Sequence, residues 1–277
     1  MTLIDGKQIA EKIKIELTQK VQQISSLPHL AAIIAGNAPA SETYIAAKEH
    51  ACNAVGIKSS IIRLSESTTE NELLYRVAQL NDDDSITGFI VQLPLPEHIN
   101  SDKVLLSIAP SKDVDGFHPE NLGKMLTEQD CFLPATPFGI VQLLEHYNIK
   151  TESKDCVIIG RSNIVGSPLS ILLSRKKYNC TVTLCHSKTK NLAEKCRNAD
   201  ILIAAIGKPH FVTADMVKDG ATVIDVGIHR IGGKITGDVD FENVAPKCSY
   251  ITPVPGGVGV MTVVSLLQNV ITAALKK

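Results

Sequence analysis

The sequence has almost no excess charge. Its 28 Lys and Arg residues stand against 29 Asp and Glu residues, which gives a formal net charge of −1 over 277 residues. So little charge gives no reason to expect a nucleic acid or an anionic membrane as partner, although one local pocket is enough to bind a small anion. At roughly 100–200 residues per domain, the length predicts two domains.

Metal-site and disulfide spacings are also missing. The seven cysteines are an odd number and no two form a CxxC pair, so we expect reduced thiols and a cytoplasmic protein. The histidines are scattered without metal-ligand spacing, which predicts that there is no metal site. The amino terminus resembles neither a signal nor a transit peptide. We expect no membrane span, because no apolar stretch approaches the roughly 18 residues that one requires.

Short apolar runs alternate with helical patterns from end to end, which predicts an α/β fold with parallel sheets. Predicted strands are Leu30–Ala35, Ile57–Leu64, Gly88–Gln92, Cys156–Ile159, Thr181–Cys185, Ile201–Ala205 and Thr222–Val226. Predicted helices are Glu42–Val55, Glu70–Leu80, Thr136–Asn148, Pro168–Tyr178, Leu192–Arg197 and Thr262–Leu275. An irregular stretch from Pro110 to Pro137 predicts one domain over 1–120, completed by the last helix over 262–277, and a second over 137–260.

A glycine turn follows the predicted strand Cys156–Ile159. The chain continues as Gly160-Arg-Ser-Asn-Ile-Val-Gly166-Ser-Pro168, and the order strand, glycine turn, helix is typical of the phosphate-binding start of a Rossmann unit. The glycines let the backbone approach a pyrophosphate, and the helix amino terminus offers free N–H groups. The two glycines are six residues apart, unlike GxGxxG, so a plain tight turn is the alternative.

Acidic residues are missing where an NAD site needs one. Such sites place an Asp or Glu about 20 residues after the loop, on the ribose 2′-hydroxyl, yet none occurs from Cys156 to Ala193. Instead the second strand ends in Cys185-His-Ser-Lys-Thr189, and Arg161 lies inside the loop. Guanidinium, hydroxyl and ammonium donors suit an additional 2′-phosphate. The pattern predicts NADP as the cofactor, and a solvated basic loop is the alternative.

In the first half, Tyr44 and Lys48 share one face of a predicted helix, and the same face continues in Cys52 and Val55. A lysine drawn towards such apolar ground loses solvation, which lowers its pKa towards the catalytic range. The alternative is a lysine that reaches solvent along an amphipathic face, beside a packed tyrosine.

Two loops offer further polar groups. Gln92 ends the apolar strand that begins at Gly88, and ligands of parallel sheets gather at the carboxyl ends of strands. Asp115 lies in Lys112-Asp-Val-Asp-Gly-Phe-His118. The alternative for Gln92 is capping of loop backbone groups, and for Asp115 it is an Asx-turn.

Together these blocks resemble the bifunctional methylenetetrahydrofolate dehydrogenase/methenyltetrahydrofolate cyclohydrolase family. The resemblance covers essentially the whole chain and rests on Ile4-Asp-Gly-Lys7, Tyr44-Ile-Ala-Ala-Lys48, Val91-Gln-Leu-Pro-Leu-Pro96, Lys112-Asp-Val-Asp-Gly-Phe-His118, Gly160-Arg-Ser-Asn-Ile-Val-Gly-Ser-Pro168 and Pro255-Gly-Gly-Val-Gly259. It implies an amino-terminal α/β catalytic domain, a carboxyl-terminal Rossmann-like NADP-binding domain and an active-site cleft between them. The implied reactions are NADP-dependent oxidation of 5,10-methylenetetrahydrofolate to the methenyl form and hydrolysis of that form to 10-formyltetrahydrofolate.

The resemblance also implies residue roles. Lys48 relays protons around the attacking water, Gln92 orients its amine, Tyr44 stacks on the folate rings and Asp115 accepts from pterin N–H groups. The other implied substrate contacts are Ser41, Leu93, Pro94, Gly259 and Thr262. The implied cofactor contacts are Gly160, Arg161, Ser162, Ile164, Val165, Gly166, His186, Ser187 and Ile228, the last beside the nicotinamide. A homodimer is also implied, as C2 dimers are common.

Three positions depart from the family pattern. Val260 stands where a proline is usual, and its absence frees φ and is expected to loosen the loop. Ala135 replaces a frequent cysteine, and Phe138 replaces a frequent basic residue. None of the three removes an implied catalytic group.

Two other functions fit a two-domain NADP-binding chain. A shikimate-dehydrogenase-like enzyme would require a different glycine loop and a Lys–Asp pair for a hydroxyl substrate, and neither pattern is found. A non-catalytic NADP-binding sensor has no need of a proton relay, whereas Tyr44, Lys48, Gln92 and Asp115 are all present.

Overall fold

A computed structural model describes residues 1–276 of the chain. They form two compact units. The three-stranded unit comprises residues 12–135 and 263–276. The six-stranded unit comprises residues 1–11 and 136–262.

The strands are β1 (Thr2–Leu3), β2 (His29–Ala35), β3 (Lys58–Leu64), β4 (Gly88–Val91), β5 (Asp155–Ile159), β6 (Thr181–Cys185), β7 (Ile201–Ala204), β8 (Thr222–Asp225), β9 (His229–Ile231), β10 (Lys234–Thr236) and β11 (Tyr250–Ile251). The helices are α1 (Gly6–Val21), α2 (Pro39–Val55), α3 (Glu70–Asp82), α4 (Ser101–Leu106), α5 (Pro119–Leu126), α6 (Ala135–His146), α7 (Gly166–Ser174), α8 (Leu192–Arg197), α9 (Phe241–Val244) and α10 (Val258–Leu275).

The three-stranded unit is built on a parallel sheet in the order β3-β2-β4. All residues of β2 and β4 are buried, as continuous apolar runs of parallel sheets usually are. Helix α2 ends where Gly56 adopts φ +86, and α3 begins with a capping box between Thr69 and Glu72. Because β2 and β4 are parallel, their carboxyl ends lie at the same edge of the sheet, and α2 starts near this edge.

The six-stranded unit has a parallel sheet in the order β1-β11-β8-β7-β5-β6, and β9 and β10 form a separate antiparallel hairpin. One core cluster combines some of the apolar residues of β5, β7 and β8 with Cys185, Cys196 and Val212. Chain order reverses between β5 and β7, since β6 lies on the other side of β5. Dinucleotides bind parallel sheets at such a switch point, outside the carboxyl ends of the strands.

The amino-terminal segment departs from the predicted 1–120 domain. Residues 1–11 lie in the six-stranded unit because Thr2 and Leu3 pair with Tyr250 and Ile251 of β11. Helix α1 was not predicted either, although its Ile9, Ala10, Ile13 and Leu17 recur at helical spacing and are buried.

Several other bounds differ from the prediction. The stretch from Pro110 to Pro137 is not wholly irregular, because Pro119 starts α5 with His118 as its cap. Helix α7 ends at Ser174, four residues before the predicted Tyr178. Helix α10 starts at Val258, so Val260 lies in its first turn. Val260 therefore lies inside the helix and not in the loop before it, and the expected loosening of the loop stays a prediction.

Helix α10 also corrects the expectation about apolar stretches. Its 18 residues are long and apolar enough to cross a membrane by length and composition alone, although Ser265, Gln268 and Asn269 interrupt the apolar run. Some 67% of that window is buried inside the protein, as in a core helix of a globular protein.

Candidate functional site

The glycine turn after β5 leaves no room for side chains at its two glycines. Gly160 has φ +118, and a Cβ there would overlap the carbonyl group of Ala205, the residue after β7. A Cβ on Gly166 would overlap the carbonyl group of Gly160. Both positions therefore need glycine, and the backbone forms a close-fitting cradle at the start of α7.

Serine side chains close this turn. Ser162 Oγ accepts from the N–H of Val165 at 3.1 Å, and Ser167 Oγ donates to the carbonyl of Arg161 at 3.1 Å. Ser162 is exposed and Ile164 is half-buried. Helix α7 follows directly, with no acidic residue in its first turn. The arrangement sets the glycine backbone beside the positive end of α7, a place where parallel-sheet proteins bind anions.

A second turn lies beside the first, because Ile159 pairs with Cys185 and Gly160 N–H donates to the Cys185 carbonyl at 2.9 Å. In this turn the His186 N–H donates to Thr189 Oγ1 at 2.9 Å, and His186 Nδ1 accepts from the N–H of Lys188 at 3.2 Å. These bonds fix the backbone of the turn.

The basic and hydroxyl side chains of the two turns point outwards. Arg161, Ser187 and Lys188 are all exposed. They lie at one edge of the sheet, in the turns that follow β5 and β6.

A third part of the six-stranded unit contains Ile228 and Gly259. Ile228 follows β8 and is 42% exposed, and a Cβ on Gly259 would lie 3.1 Å from Ile228 Cδ1. Thr262 is half-buried, and its Oγ1 is 3.0 Å from Thr136 Oγ1. The structure thus brings Gly259 against Ile228, while Thr262 bonds to α6.

In the three-stranded unit, a hydrogen bond joins Lys48 on α2 to Gln92 after β4. The Lys48 Nζ donates to Gln92 Oε1 at 3.1 Å. The amide nitrogen of Gln92 donates to the Leu93 carbonyl at 2.7 Å, so the capping alternative holds for one half of the side chain. The bond to Leu93 fixes the orientation of the amide, with its oxygen, the acceptor, facing the amine.

Burial changes the pKa values of Lys48 and of the ionisable groups around it. It lowers the pKa of Lys48, and the charge of Asp115 opposes that change. It raises the pKa of Asp115, which Lys48 opposes in turn. Burial also raises the pKa of Tyr44, one turn before Lys48, and raises that of Cys52, one turn after it, to about 12. An amine in this setting loses its proton more easily than a solvated lysine.

The remaining predicted substrate residues lie around the same strand ends. Ser41 is 3% exposed in the first turns of α2. Leu93 is half-buried and Pro94 is exposed, and a cis peptide bond joins them. A cleft of about 610 Å³ extends from Gly36 to His98 past Pro94.

Asp113, which the sequence did not single out, makes the turn that carries Asp115. Its carboxylate accepts from the N–H groups of Phe117 (3.2 Å) and His118 (2.8 Å) and from Asn121 Nδ2 (2.8 Å). Asp113 therefore fixes this loop through N–H groups four and five residues further on, which differs from an Asx-turn.

A helix distant in sequence supports the same turn. Asn269 on α10 donates to the carbonyls of Val114 (2.8 Å) and Leu133 (2.9 Å). The motif Lys112–His118 signals a turn, but nothing local in it reveals Asn121 or Asn269 as partners.

Within residues 1–276, none of the seven cysteines forms a disulfide, and six of them are buried. Among residues 1–276, no group of three or more His, Cys, Asp and Glu side chains is arranged to hold a metal ion.

Two family models match the chain, one in each half. Residues 4–115 match the catalytic domain of tetrahydrofolate dehydrogenase/cyclohydrolase. Residues 134–277 match the NAD(P)-binding domain of the same enzyme family.

Full-length relatives agree with these matches. A relative from Cytophaga hutchinsonii named bifunctional protein FolD is 55% identical over 100% of both chains. The crystal structure of the bifunctional FolD dehydrogenase/cyclohydrolase from Campylobacter jejuni has a TM-score of 0.96 at 50% identity, covering 100% of this chain and 99% of that one. A Trypanosoma brucei FolD complexed with NADP and an inhibitor has a TM-score of 0.95 at 34% identity, covering 100% and 98%.

Proposed function

The chain belongs to the tetrahydrofolate dehydrogenase/cyclohydrolase family, and we propose that it catalyses both reactions that this name describes. It oxidises 5,10-methylenetetrahydrofolate to 5,10-methenyltetrahydrofolate with NADP⁺ and hydrolyses the product to 10-formyltetrahydrofolate. The family models and relatives support this function over a shikimate-dehydrogenase-like enzyme or a non-catalytic NADP sensor.

The hydrogen bond between Lys48 and Gln92 carries the cyclohydrolase part of the proposal. Water that attacks the methenyl carbon must lose both of its protons as the formyl C=O forms. One goes to solvent, matching the lost positive charge of the methenyl form, and the other must reach the ring nitrogen that departs when the C–N bond breaks. A lysine whose pKa is lowered by burial can accept and return that proton. The bond from the Gln92 nitrogen to the Leu93 carbonyl fixes the amide group, and the Gln92 oxygen then orients the Lys48 amine.

The folate ring is assigned to the residues around Lys48. Tyr44 offers an aromatic face one helical turn away, and Asp115 offers a carboxylate that the turn does not use. Ser41, Leu93 and Pro94 complete this set at the carboxyl ends of β2 and β4. Gly259 and Thr262 are assigned to the folate as well.

The residues of the six-stranded unit fit NADP. Bound NADP⁺ supplies the acceptor for the hydride of the substrate. The assigned residues hold its phosphates and its nicotinamide end, and they are Gly160, Arg161, Ser162, Ile164, Val165, Gly166, His186, Ser187 and Ile228. Arg161 and Ser187 read the 2′-phosphate, since no acid follows until Glu194.

One absorbance experiment tests the function and the cofactor together. Purified protein is mixed with methylenetetrahydrofolate and either NADP⁺ or NAD⁺, and reduced cofactor is followed. Hydrolysis is measured separately by supplying the methenyl form and recording its loss. We expect both activities, with oxidation dependent on NADP⁺; oxidation with NAD⁺ alone would overturn the cofactor assignment, and no turnover would overturn the function.

The proposal includes a homodimer in the cytoplasm. Cysteines that form no disulfide in the described residues support a reducing compartment. Exposed Ile231 and Ile235 on the β9–β10 hairpin offer apolar surface to a second copy. Size-exclusion chromatography with light scattering tests this, and a monomer at micromolar concentration would contradict the dimer.

A further inference from the structure

A network of two buried carboxylates lies after β7 and β8 in the six-stranded unit. Asp225, the last residue of β8, is 3% exposed. Its Oδ1 accepts from the N–H groups of Gly227 (3.0 Å) and Asp238 (2.9 Å), and its Oδ2 accepts from Val239 N–H at 3.0 Å. Asp225 thereby fixes the backbone of Asp238 beside the end of β8.

The side chain of Asp238 continues the network towards β7. Its Oδ2 accepts from the N–H groups of Ile206 (2.7 Å) and Gly207 (3.0 Å), which form the turn after β7. Its Oδ1 is 2.7 Å from His229 Nε2. Asp238 is fully buried whereas the His229 side chain is 19% exposed. With Asp238 ionised, Nε2 is the donor nitrogen of this imidazole.

Within the described part of the chain, residues 1–276, His229 is the one side chain that lies beside this carboxylate as a donor, and it follows Ile228 in the sequence. The pair therefore ties the segment after β8 to the turn after β7. Both segments lie at the carboxyl ends of neighbouring strands, where parallel sheets bind their cofactors. Removing the imidazole leaves one oxygen of a buried carboxylate without its donor, which is costly enough to rearrange the turn.

We propose that His229 is a positioning residue for the dehydrogenase reaction. Acting through Asp238, it fixes Ile228 relative to the Ile206–Gly207 turn, so that the nicotinamide end of the cofactor meets a rigid wall. This inference rests on the proposed function, which sets Ile228 beside the nicotinamide. It assigns a role to a residue that neither the glycine loop nor the Lys48–Gln92 pair explains.

The test compares His229→Ala with His229→Gln. The glutamine amide carries an N–H at about the reach of Nε2, whereas alanine carries no donor. In His229→Ala we expect dehydrogenase kcat to fall roughly 10- to 100-fold, because a misplacement of about 1 Å has an effect of that size, and KM for NADP⁺ to rise. Hydrolysis of supplied methenyltetrahydrofolate stays within twofold of the unchanged chain, and His229→Gln recovers most of the lost oxidation.

Calorimetric titration with NADP⁺ and thermal melting without it complete the test. We expect weaker NADP⁺ binding in His229→Ala at a melting temperature that still allows hydrolysis. An equal fall of both activities, or unchanged oxidation and binding, would overturn the positioning role. Absence of oxidation in the unchanged chain would count against the proposed function instead. The titration would then test His229 alone, and equal NADP⁺ affinities of the unchanged chain and His229→Ala would overturn the positioning role.

Discussion

Asp113 and Asp115 occupy one turn but have different surroundings. The carboxylate of Asp113 is 2% exposed and accepts three hydrogen bonds from its own loop and from Asn121. Asp115 is half-buried, and its charge acts on the Lys48 amine. The turn is therefore maintained by one acid while the other remains available to a ligand.

A matched pair of variants separates these two roles. Asp113→Asn replaces an acceptor with an amide whose N–H₂ faces other donors, so unfolding free energy should fall by about 1–3 kcal/mol. Asp115→Asn should leave stability within about 0.5 kcal/mol and raise KM for the folate instead. Chemical denaturation and steady-state kinetics check both; a stability loss in Asp115→Asn as large as in Asp113→Asn would contradict the division.

The contribution of Asp113 to the free energy of unfolding should depend on pH in one direction. Burial raises the pKa of Asp113 to about 6, above its unfolded value, so the folded protein binds this proton more tightly. The stability from this group is fully present below about pH 4 and is lost as pH rises through about 6. Because asparagine does not titrate, Asp113→Asn should lower stability more at about pH 5 than at about pH 7.5.

Lys48→Met should remove the proton relay without disturbing the cofactor. Loss of general acid–base catalysis typically lowers turnover about 100- to 10,000-fold, so we expect cyclohydrolase kcat to fall into that range. Lys20→Met, which changes an exposed lysine on α1, is the control. Hydrolysis of supplied methenyl substrate and NADP⁺ titration are the measurements, and hydrolysis at the control rate would exclude Lys48 from the mechanism.

Gln92→Glu should shift the pH profile of hydrolysis. A carboxylate in place of the amide oxygen, 3.1 Å from Nζ, favours the ammonium and raises the pKa of Lys48. The reaction needs the neutral amine, so the acid limb of kcat/KM should move upwards by roughly one to three pH units. Gln92→Met, which has neither charge nor amide, should slow hydrolysis without that upward shift. An unshifted limb in Gln92→Glu would show that Lys48 does not control the profile.

The strands and helices that the sequence predicted are those with a local signal. The strand, glycine turn and helix around Gly160 follow one another within a few residues, and the structure places them in that order. The pairing of β1 with β11 has no such signal, because it joins residues about 250 positions apart. The packing of the amino-terminal segment on β11 was consequently not predicted.

The candidate site shows the same limit. Spacing along α2 was enough to put Tyr44 and Lys48 on one face. Spacing could not tell which of two acids makes the turn, because that depends on Asn121 and on Asn269, which lies 155 residues after Val114. The link between His229 and Asp238 also depends on tertiary structure, since it runs through the ends of β7 and β8.

Arg161→Ala should weaken NADP⁺ far more than NAD⁺. The guanidinium is exposed beside the turn that carries Ser187 and Lys188, and a hydrogen bond to a charged group contributes about 1.5–3 kcal/mol. We expect roughly 10- to 100-fold weaker NADP⁺ binding and nearly unchanged NAD⁺ binding. Lys176→Ala, beyond the far end of α7, is the control. Titration with both cofactors decides, and parallel losses would mean that Arg161 does not read the 2′-phosphate.

Gly6→Ala should disturb the loop before α10 from the opposite end of the chain. A Cβ on Gly6 would overlap the carbonyl group of Gly257, and the next residue, Lys7, donates its N–H to the Gly256 carbonyl at 3.2 Å. The loop must move or the amino-terminal segment must detach, so we expect a loss of about 1–3 kcal/mol and weaker NADP⁺ binding.

Gly123→Ala on α5 is the matched control for Gly6→Ala. Nothing lies within 4 Å of its added Cβ, and alanine favours a helix over glycine by roughly 0.5–1 kcal/mol. This variant should therefore melt at the same temperature or higher, with unchanged kinetics. Thermal melting and NADP⁺ titration of both variants separate the effect of steric overlap at Gly6 from the effect of replacing a glycine. Equal melting temperatures and cofactor affinities for the two would mean that the contact between Gly6 and Gly257 does not support the loop.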